Sequence, residues 1–553
     1  MAVKHSVHLL IVLLVLGALV GSVLVQPAPA SAATWYVATA ANGGNDANSG
    51  DAAHPWEHIN YAIGKAGDGD TINIGPGWFT EQVIIDKPLT IIGTAVAPTP
   101  TGTFIAAPPT ASRTTYTAHD GTIFDYVVAA HDNNSISIGT LTIVAADTMK
   151  AGATYYANLV FDNVTGPGSG FNAGCASGWA SAVIADIGVA VWGGSVVIVQ
   201  ESQIVNFKTW GVWSKNSSPT VYNNEIVSAS NNSNCVDLDY CPFALVDNNF
   251  LRGDTMPLNI NGITVDHCIN TTLSNNEIHG VPVGDGIVTF TSAGPIAINT
   301  NIIYGFSRGI WDPDAVTGLI VGNEIYSCSS AIRLNNTGSN WTGINNNLLY
   351  NCTSAGLYFT CPLANVTGNL INDTGIGLDA LNNLTAHCNA IFDNSVAGLN
   401  LQVNGTFDVT NNYWGDNSGP NVNGAGPGTG DAITTNGHTV LTFDPWAAMV
   451  LSATPPAITA DGTSLSTLDL DCTRNSAGVV MGCDIPDGLR VIFATTGGTL
   501  TSATTYTHGG HAITALRSST TPGIFTVTSA FGMAPDMTLS TTIVTFTAIR
   551  YCL

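Results

Sequence analysis

Asn223-Asn224-Glu225-Ile226, Asn248-Asn249-Phe250 and Asn275-Asn276-Glu277-Ile278 are three copies of one phrase, an Asn followed within two residues by an aliphatic or aromatic side chain. The phrase goes on as Asn301-Ile302, Asn323-Glu324-Ile325, Asn346-Asn347-Leu348, Asn369-Leu370, Asn389-Ala390-Ile391 and Asn411-Asn412-Tyr413. From Asn224 through Asn249, Asn276, Asn301, Asn323, Asn347, Asn369 and Asn389 to Asn412, the steps are 25, 27, 25, 22, 24, 22, 20 and 23 residues. A second marker, Gly before an aliphatic residue, keeps the same pace at Gly188, Gly211, Gly262, Gly286, Gly309, Gly356, Gly377 and Gly398, with Ala331 standing in once. Two markers in phase mean one coil of chain per repeat.

The intervening stretches alternate in polarity, as in Thr317-Gly318-Leu319-Ile320-Val321, which suits strands of period two. No repeat holds a helical stretch long enough for a helical solenoid. A β-solenoid remains: each coil buries its inner face only by stacking on its neighbours, about 4.8 Å apart. Asn at one turn position then stacks on Asn of the next coil and hydrogen-bonds along the ladder. Ile226, Ile278, Ile325 and Ile391 are expected inside.

Composition bounds the function. The chain has 14 Lys+Arg against 38 Asp+Glu, a net charge of −24 and only 9% charged residues. Phosphate binding wants clustered cations, so nucleic acid is excluded as a partner. At the N-terminus an apolar run from Leu9 to Val25 leads to Ala30-Ser31-Ala32, the small-x-small form of a signal-peptide cleavage site. Residues 1–32 read as a signal peptide. The mature protein is then not transmembrane, but secreted or held at the cell surface. Of the 11 Cys, Cys472 with Cys483 and Cys235 with Cys241 are the candidate disulfide pairs.

Residues 33–450 form the solenoid. Trp56, Ile59, Ala62, Ile63 and Ala66 make one helical stripe, a plug for its open end. Trp35-Tyr36-Val37, Asn48-Ser49-Gly50, His54-Pro55-Trp56 and Gly69-Asp70-Thr71-Ile72 resemble the N-terminal cap of right-handed parallel β-helix proteins, the pectate lyase and polygalacturonase group. Asn411-Asn412-Tyr413-Trp414-Gly415 with Ser418-Gly419-Pro420 resembles the closing motif of that group. The resemblance implies the fold; the architecture itself hosts lyases, hydrolases and inert binding proteins. The segment 94–120 and the Gly-rich insertion Gly166–Trp179 read as surface excursions.

Residues 451–553 alternate in period two between turn signals, as in Leu489-Arg490-Val491-Ile492-Phe493 and Ile524-Phe525-Thr526-Val527-Thr528. That pattern is a small Ig-like β-sandwich. Ala460-Asp461-Gly462-Thr463-Ser464 and Thr495-Thr496-Gly497-Gly498-Thr499-Leu500 resemble the bacterial Ig-like domain of invasin- and intimin-type adhesins, which implies a spacer or stalk. Thr454-Pro455-Pro456 is the expected junction. The fold class is therefore all-β, a right-handed parallel β-helix followed by one sandwich.

After each Gly marker the first residue points in and the second out. The outward row is Trp213, Thr264, Val288, Trp311, Arg333, Tyr358, Asp379 and Asn400, with Asp237 supplied by Cys235-Val236-Asp237. Asp239 and Asp266 lie beside one another on that face, and Lys215 on the preceding coil. Lys215, Asp237, Asp239 and Asp266 are the candidate catalytic residues; Trp213, Trp311, Arg333, Tyr358 and Asp379 are the candidate ligand contacts. Aromatics stack on sugar faces while polar groups read hydroxyls, so the expected partner is a polysaccharide or cell-surface glycan. Two function classes follow: an adhesin-like glycan platform, or a polysaccharide lyase or glycoside hydrolase. The Asp cluster makes Ca2+ a candidate ligand; no other cofactor is indicated. An acidic protein also scatters solvated Asp over its faces, which is the structural alternative. His267, His279 and His387 stand alone and read as turn residues.

Overall fold

The computed structural model describes residues 32–94, 102–108, 114–117, 123–130, 135–139, 142–144, 186–205, 207–228, 232–253, 260–292, 294–436, 440–483, 485–531 and 534–548. The leader up to residue 31, the insertion with Cys175 and much of the 94–120 excursion lie outside the described residues.

Strands of successive coils pair in parallel from Thr34–Val37 to Val440–Thr442. One face is a 15-stranded sheet running through the coils in order. The other two faces merge into a 25-stranded sheet, because Leu348–Phe359 and Leu370–Ala380 each run unbroken from one face onto the next. Inside, Val189, Val212, Val236, Ile263, Ile287, Ile310, Ile332, Leu357, Leu378 and Leu399 form one in-register column, fully buried. Ile226, Ile278, Ile325 and Ile391 are buried as expected. The Gly marker answers a close approach: a Cβ on Gly309 would lie 2.3 Å from Ile325 Cγ2 and 2.6 Å from the Ala331 carbonyl oxygen.

The Asn phrase has two jobs. Asn223, Asn248, Asn275, Asn346 and Asn411 hold left-handed backbone (φ 54° to 59°), which Asn tolerates better than most residues. The Asn after each of them is buried and, except for Asn412 at the end of the line, donates through Nδ2 to Oδ1 of the equivalent Asn one coil on. This line runs from Asn224 through Asn249, Asn276, Asn301, Asn323, Asn347, Asn369 and Asn389 to Asn412, at 2.8–3.0 Å per step. Each Oδ1 also accepts the backbone N–H of the preceding Asn. The buried amides are thus satisfied within the repeat itself.

At the N-terminal end the helix Ile59–Lys65 buries Ile59, Ala62 and Ile63, flanked by buried Trp56 and Ala66. Trp35 stacks on Trp56 (centroids 5.0 Å) and donates its indole N–H to Asp70 Oδ2 at 2.7 Å. Trp414 and Tyr413 of the closing motif are fully buried at the other end.

The C-terminal part is a four-stranded sheet packed on a five-stranded one. Its first strand is Ala447–Thr454, antiparallel to Leu465–Asn475, so Thr454-Pro455-Pro456 lies within the sandwich between its first two strands and not ahead of it. The two parts share one apolar cluster: Phe392 stacks on Phe531 (5.1 Å), and Tyr413 meets Phe531 edge-on. The Cys388–Cys483 disulfide crosses the same junction, which corrects the expected Cys472–Cys483 pair; Cys472 is buried in the sandwich core without a disulfide. Cys235 and Cys241 are not joined either. The strand Ser233–Asp239 carries the chain about 13 Å from Cys235 before the turn at Tyr240, beyond disulfide reach.

Candidate functional site

The expected outward row is a true register column: Trp213 pairs with Asp237, then Thr264, Val288, Trp311, Arg333, Tyr358, Asp379 and Asn400. Lys215, Asp239 and Asp266 form a second column beside it. The column splits into two groups. Thr264 and Val288 separate Asp237 from Trp311, a gap of three coils or about 14 Å.

In the acidic group, Lys215 Nζ lies 2.5 Å from Asp239 Oδ2 and 5.7 Å from the centre of the Tyr240 ring. Tyr240 stacks on His267 (4.5 Å, 14°), and His267 Nδ1 shares a 2.7 Å hydrogen bond with Asp266 Oδ1. Tyr240 and His267 sit at successive turn positions with left-handed backbone (φ 53° and 51°), unfavourable for a bulky residue. Tyr240 is 48% exposed and neighbouring Phe243 61% exposed. Sequence reading missed Tyr240 and set His267 aside as a turn residue, which it is; His279 and His387 lie in strands instead.

Asp237, in the first column, is buried. Asn234 Nδ2 donates to its Oδ2 at 2.6 Å, and Trp210 also hydrogen-bonds it. Burial pushes its carboxyl up to about 7; the Asn234 bond opposes the rise, and the charges of Asp239 and Asp266 add to it. At neutral pH Asp237 is therefore partly protonated beside two other carboxylates. Among the described residues no three His, Cys, Asp or Glu side chains are placed to hold a metal ion.

Trp213 does not fit the ligand role expected of it. It lies on the outer face but is buried in a separate apolar cluster with Tyr126, Ala129, Ile187 and Ala190, stacked on Trp210 (5.6 Å, 16°). The far group is also more enclosed than expected. The Arg308 guanidinium covers Trp311 at 3.4 Å from the ring centre, while its own charge is held by Asp285 through two hydrogen bonds. Arg333 lies over Tyr358 at 4.4 Å, and Asp379 Oδ1 accepts from Asn400 and Gln402. Trp311 and Tyr358 are half-buried, each with a ring face given to an arginine.

No family model matches this chain, and no curated protein does. Several solved structures are similar to parts of it. A C-terminal intimin fragment in complex with the intimin-binding domain of the translocated intimin receptor is 25% identical over 18% of this chain, TM-score 0.15, and the match spans only 33% of that fragment. The pectate lyase Pel9A is 13% identical over 74% of this chain and 78% of its own, TM-score 0.32. A pectin methylesterase in complex with a hexasaccharide is 13% identical over 50% of this chain and 80% of its own, TM-score 0.31. No helix among the described residues is long and apolar enough to cross a membrane.

Proposed function

We propose that this chain is a secreted or cell-surface glycan-binding protein, adhesin-like, whose β-helix presents a carbohydrate platform and whose Ig-like sandwich serves as spacer. One observation carries the reading: the exposed Tyr240–His267 stack abuts the Lys215–Asp239–Asp266 column. An aromatic face for the apolar side of a sugar, next to carboxylates and an ammonium that can take its hydroxyls, is the composition a saccharide site requires. The Phe392–Phe531 stack and the Cys388–Cys483 bond fix the sandwich to the last coils, as a stalk bearing load would need.

A second reading, glycoside hydrolysis, is favoured by Asp237. A carboxyl that holds its proton to about 7 can protonate a leaving glycosidic oxygen, while an Asp239 or Asp266 carboxylate deprotonates the attacking water or attacks the anomeric carbon. Incubating the purified full chain with a panel of polysaccharides, and following reducing ends and the absorbance of unsaturated products with and without Ca2+, separates the two. Retention without turnover supports the platform; new reducing ends lost in Asp237→Asn support the hydrolase; unsaturated products would mean a lyase.

A further inference from the structure

Two pairs of cysteines stack on adjacent coils, and nothing in the glycan-binding reading uses them. Cys241 follows Asp239 by two residues and Cys268 follows Asp266 by two, and Asp239 and Asp266 are register partners. The backbone N–H of Cys241 points at Cys268 Sγ, 3.2 Å away, and Ile269 N–H closes on the Cys241 carbonyl at 2.9 Å. Cys328 and Cys352 repeat the arrangement two residues beyond the register pair Tyr326 and Tyr350, with Thr353 N–H donating to the Cys328 carbonyl at 3.1 Å. In both pairs the side chains are buried in the solenoid core and the two thiols lie within hydrogen-bonding reach of each other.

We infer that Cys241–Cys268 and Cys328–Cys352 are inter-coil disulfide sites. Equivalent positions on stacked coils lie about 4.8 Å apart, inside the 4.4–6.8 Å Cα range that a disulfide spans. All seven of these buried cysteines, Cys235, Cys361 and Cys472 included, are unbonded thiols in this structure, but among the described residues no second thiol is set beside Cys235, Cys361 or Cys472 in this way. Each bond forms by thiol–disulfide exchange with a small-molecule or enzyme disulfide: the two thiols give up two protons and two electrons, one S–S bond forms, and the oxidant's S–S bond is cleaved to two thiols. Burial dictates the timing, before the coils close over the pair. The first bond ties together the turns that carry Tyr240 and His267, so it rigidifies the face described above whatever that face binds.

The test is a disulfide map of the full chain secreted through an oxidising pathway, unfolded in denaturant with excess iodoacetamide, digested without reductant and read by mass spectrometry. The Cys388–Cys483 link is the internal control for oxidation. The expected result is peptides joined as Cys241 to Cys268 and as Cys328 to Cys352, with Cys235, Cys361 and Cys472 alkylated. Alkylation of both members of a pair in protein that carries the Cys388–Cys483 link overturns the assignment for that pair. So does a link from either member to a different cysteine. The Cys241→Ser/Cys268→Ser double variant should lower the thermal midpoint under oxidising conditions and shrink the drop in midpoint that reductant causes in the parent, the remainder coming from the Cys388–Cys483 and Cys328–Cys352 bonds. An unchanged midpoint would likewise count against a bond there.

Discussion

Lys215 Nζ lies 2.5 Å from Asp239 Oδ2, and the two residues hold the same register position on adjacent coils. The pair is only about one-fifth exposed, at 20% and 17%, so water screens it weakly. Lys215 is also the one cation, among the described residues, in the column it shares with Asp239 and Asp266. Lys215→Met should therefore leave like charges uncompensated and destabilise the protein by about 1–3 kcal/mol. Chemical denaturation at neutral pH measures it; an unchanged midpoint would show the pair to be solvated.

The asparagine ladder makes a sharper demand. Asn276 accepts from Asn249 and donates to Asn301, and all three side chains are buried. Asn276→Leu should strand buried amide groups on both neighbours and cost about 1–3 kcal/mol or more. Hydrogen exchange should show the loss of protection centred on the coils around residues 249 to 301, since a solenoid transmits stability to nearest neighbours.

Ile325 tests the core in the same way. It is fully buried and pairs with Ile303 and Leu349. Ile325→Asp should bury an unpaired charge and unfold adjacent coils, whereas Ile325→Val should cost only about 0.5–1.5 kcal/mol. Circular dichroism and thermal melts distinguish them.

The pH dependence follows from carboxyls that burial has raised. Glu225, Asp237 and Asp431 are each pushed up to about 7, and Asp312 to about 6. Between their unfolded values near 4 and these folded values, the folded protein binds more protons than the unfolded chain. Stability therefore falls as pH rises from about 4 to about 7 and levels off above. Asp51, lowered to about 2, acts the other way but only below pH 4. The Tm at pH 5 should exceed the Tm at pH 8; the reverse order would contradict the burial of these groups.

The solenoid was legible because its rules repeat. Asn224 to Asn412 and Val189 to Leu399 recur at each coil for the same local reason, so the register column from Trp213 to Asn400 could be written from residue spacing alone. What covers that column could not. Trp213 is buried by Tyr126 and Trp210, and Trp311 is capped by Arg308, which sits just before its Gly marker in a place the alternation leaves blank. Tyr240 and His267 escaped because they stand in left-handed turn positions beyond the strands, where no period applies. A run of bulky residues at positions held by Asn in other coils was the available signal. The Cys388–Cys483 bond joins parts 95 residues apart, and no local pattern encodes such a distance.

The boundary of the sandwich gives a further check. A fragment beginning at Ala447 keeps the strand that pairs with Leu465–Asn475, while one beginning at Pro455 lacks it. The longer fragment should fold by circular dichroism and the shorter should not. Folding of both would mean that the first strand is dispensable.

The glycan platform is tested most directly by a glycan array of neutral and acidic oligosaccharides, probed with the full chain and with its Tyr240→Ala variant, followed by calorimetric titration of the best binder. Loss of a stacking anchor costs about 1–3 kcal/mol, so affinity should fall about 5- to 150-fold while the thermal midpoint stays put. Trp311→Ala should have a smaller effect on the same ligand, since Trp311 is half-buried under Arg308 whereas Tyr240 is exposed. Failure of every glycan to bind, or a Tyr240→Ala variant that binds like the parent, would contradict the account.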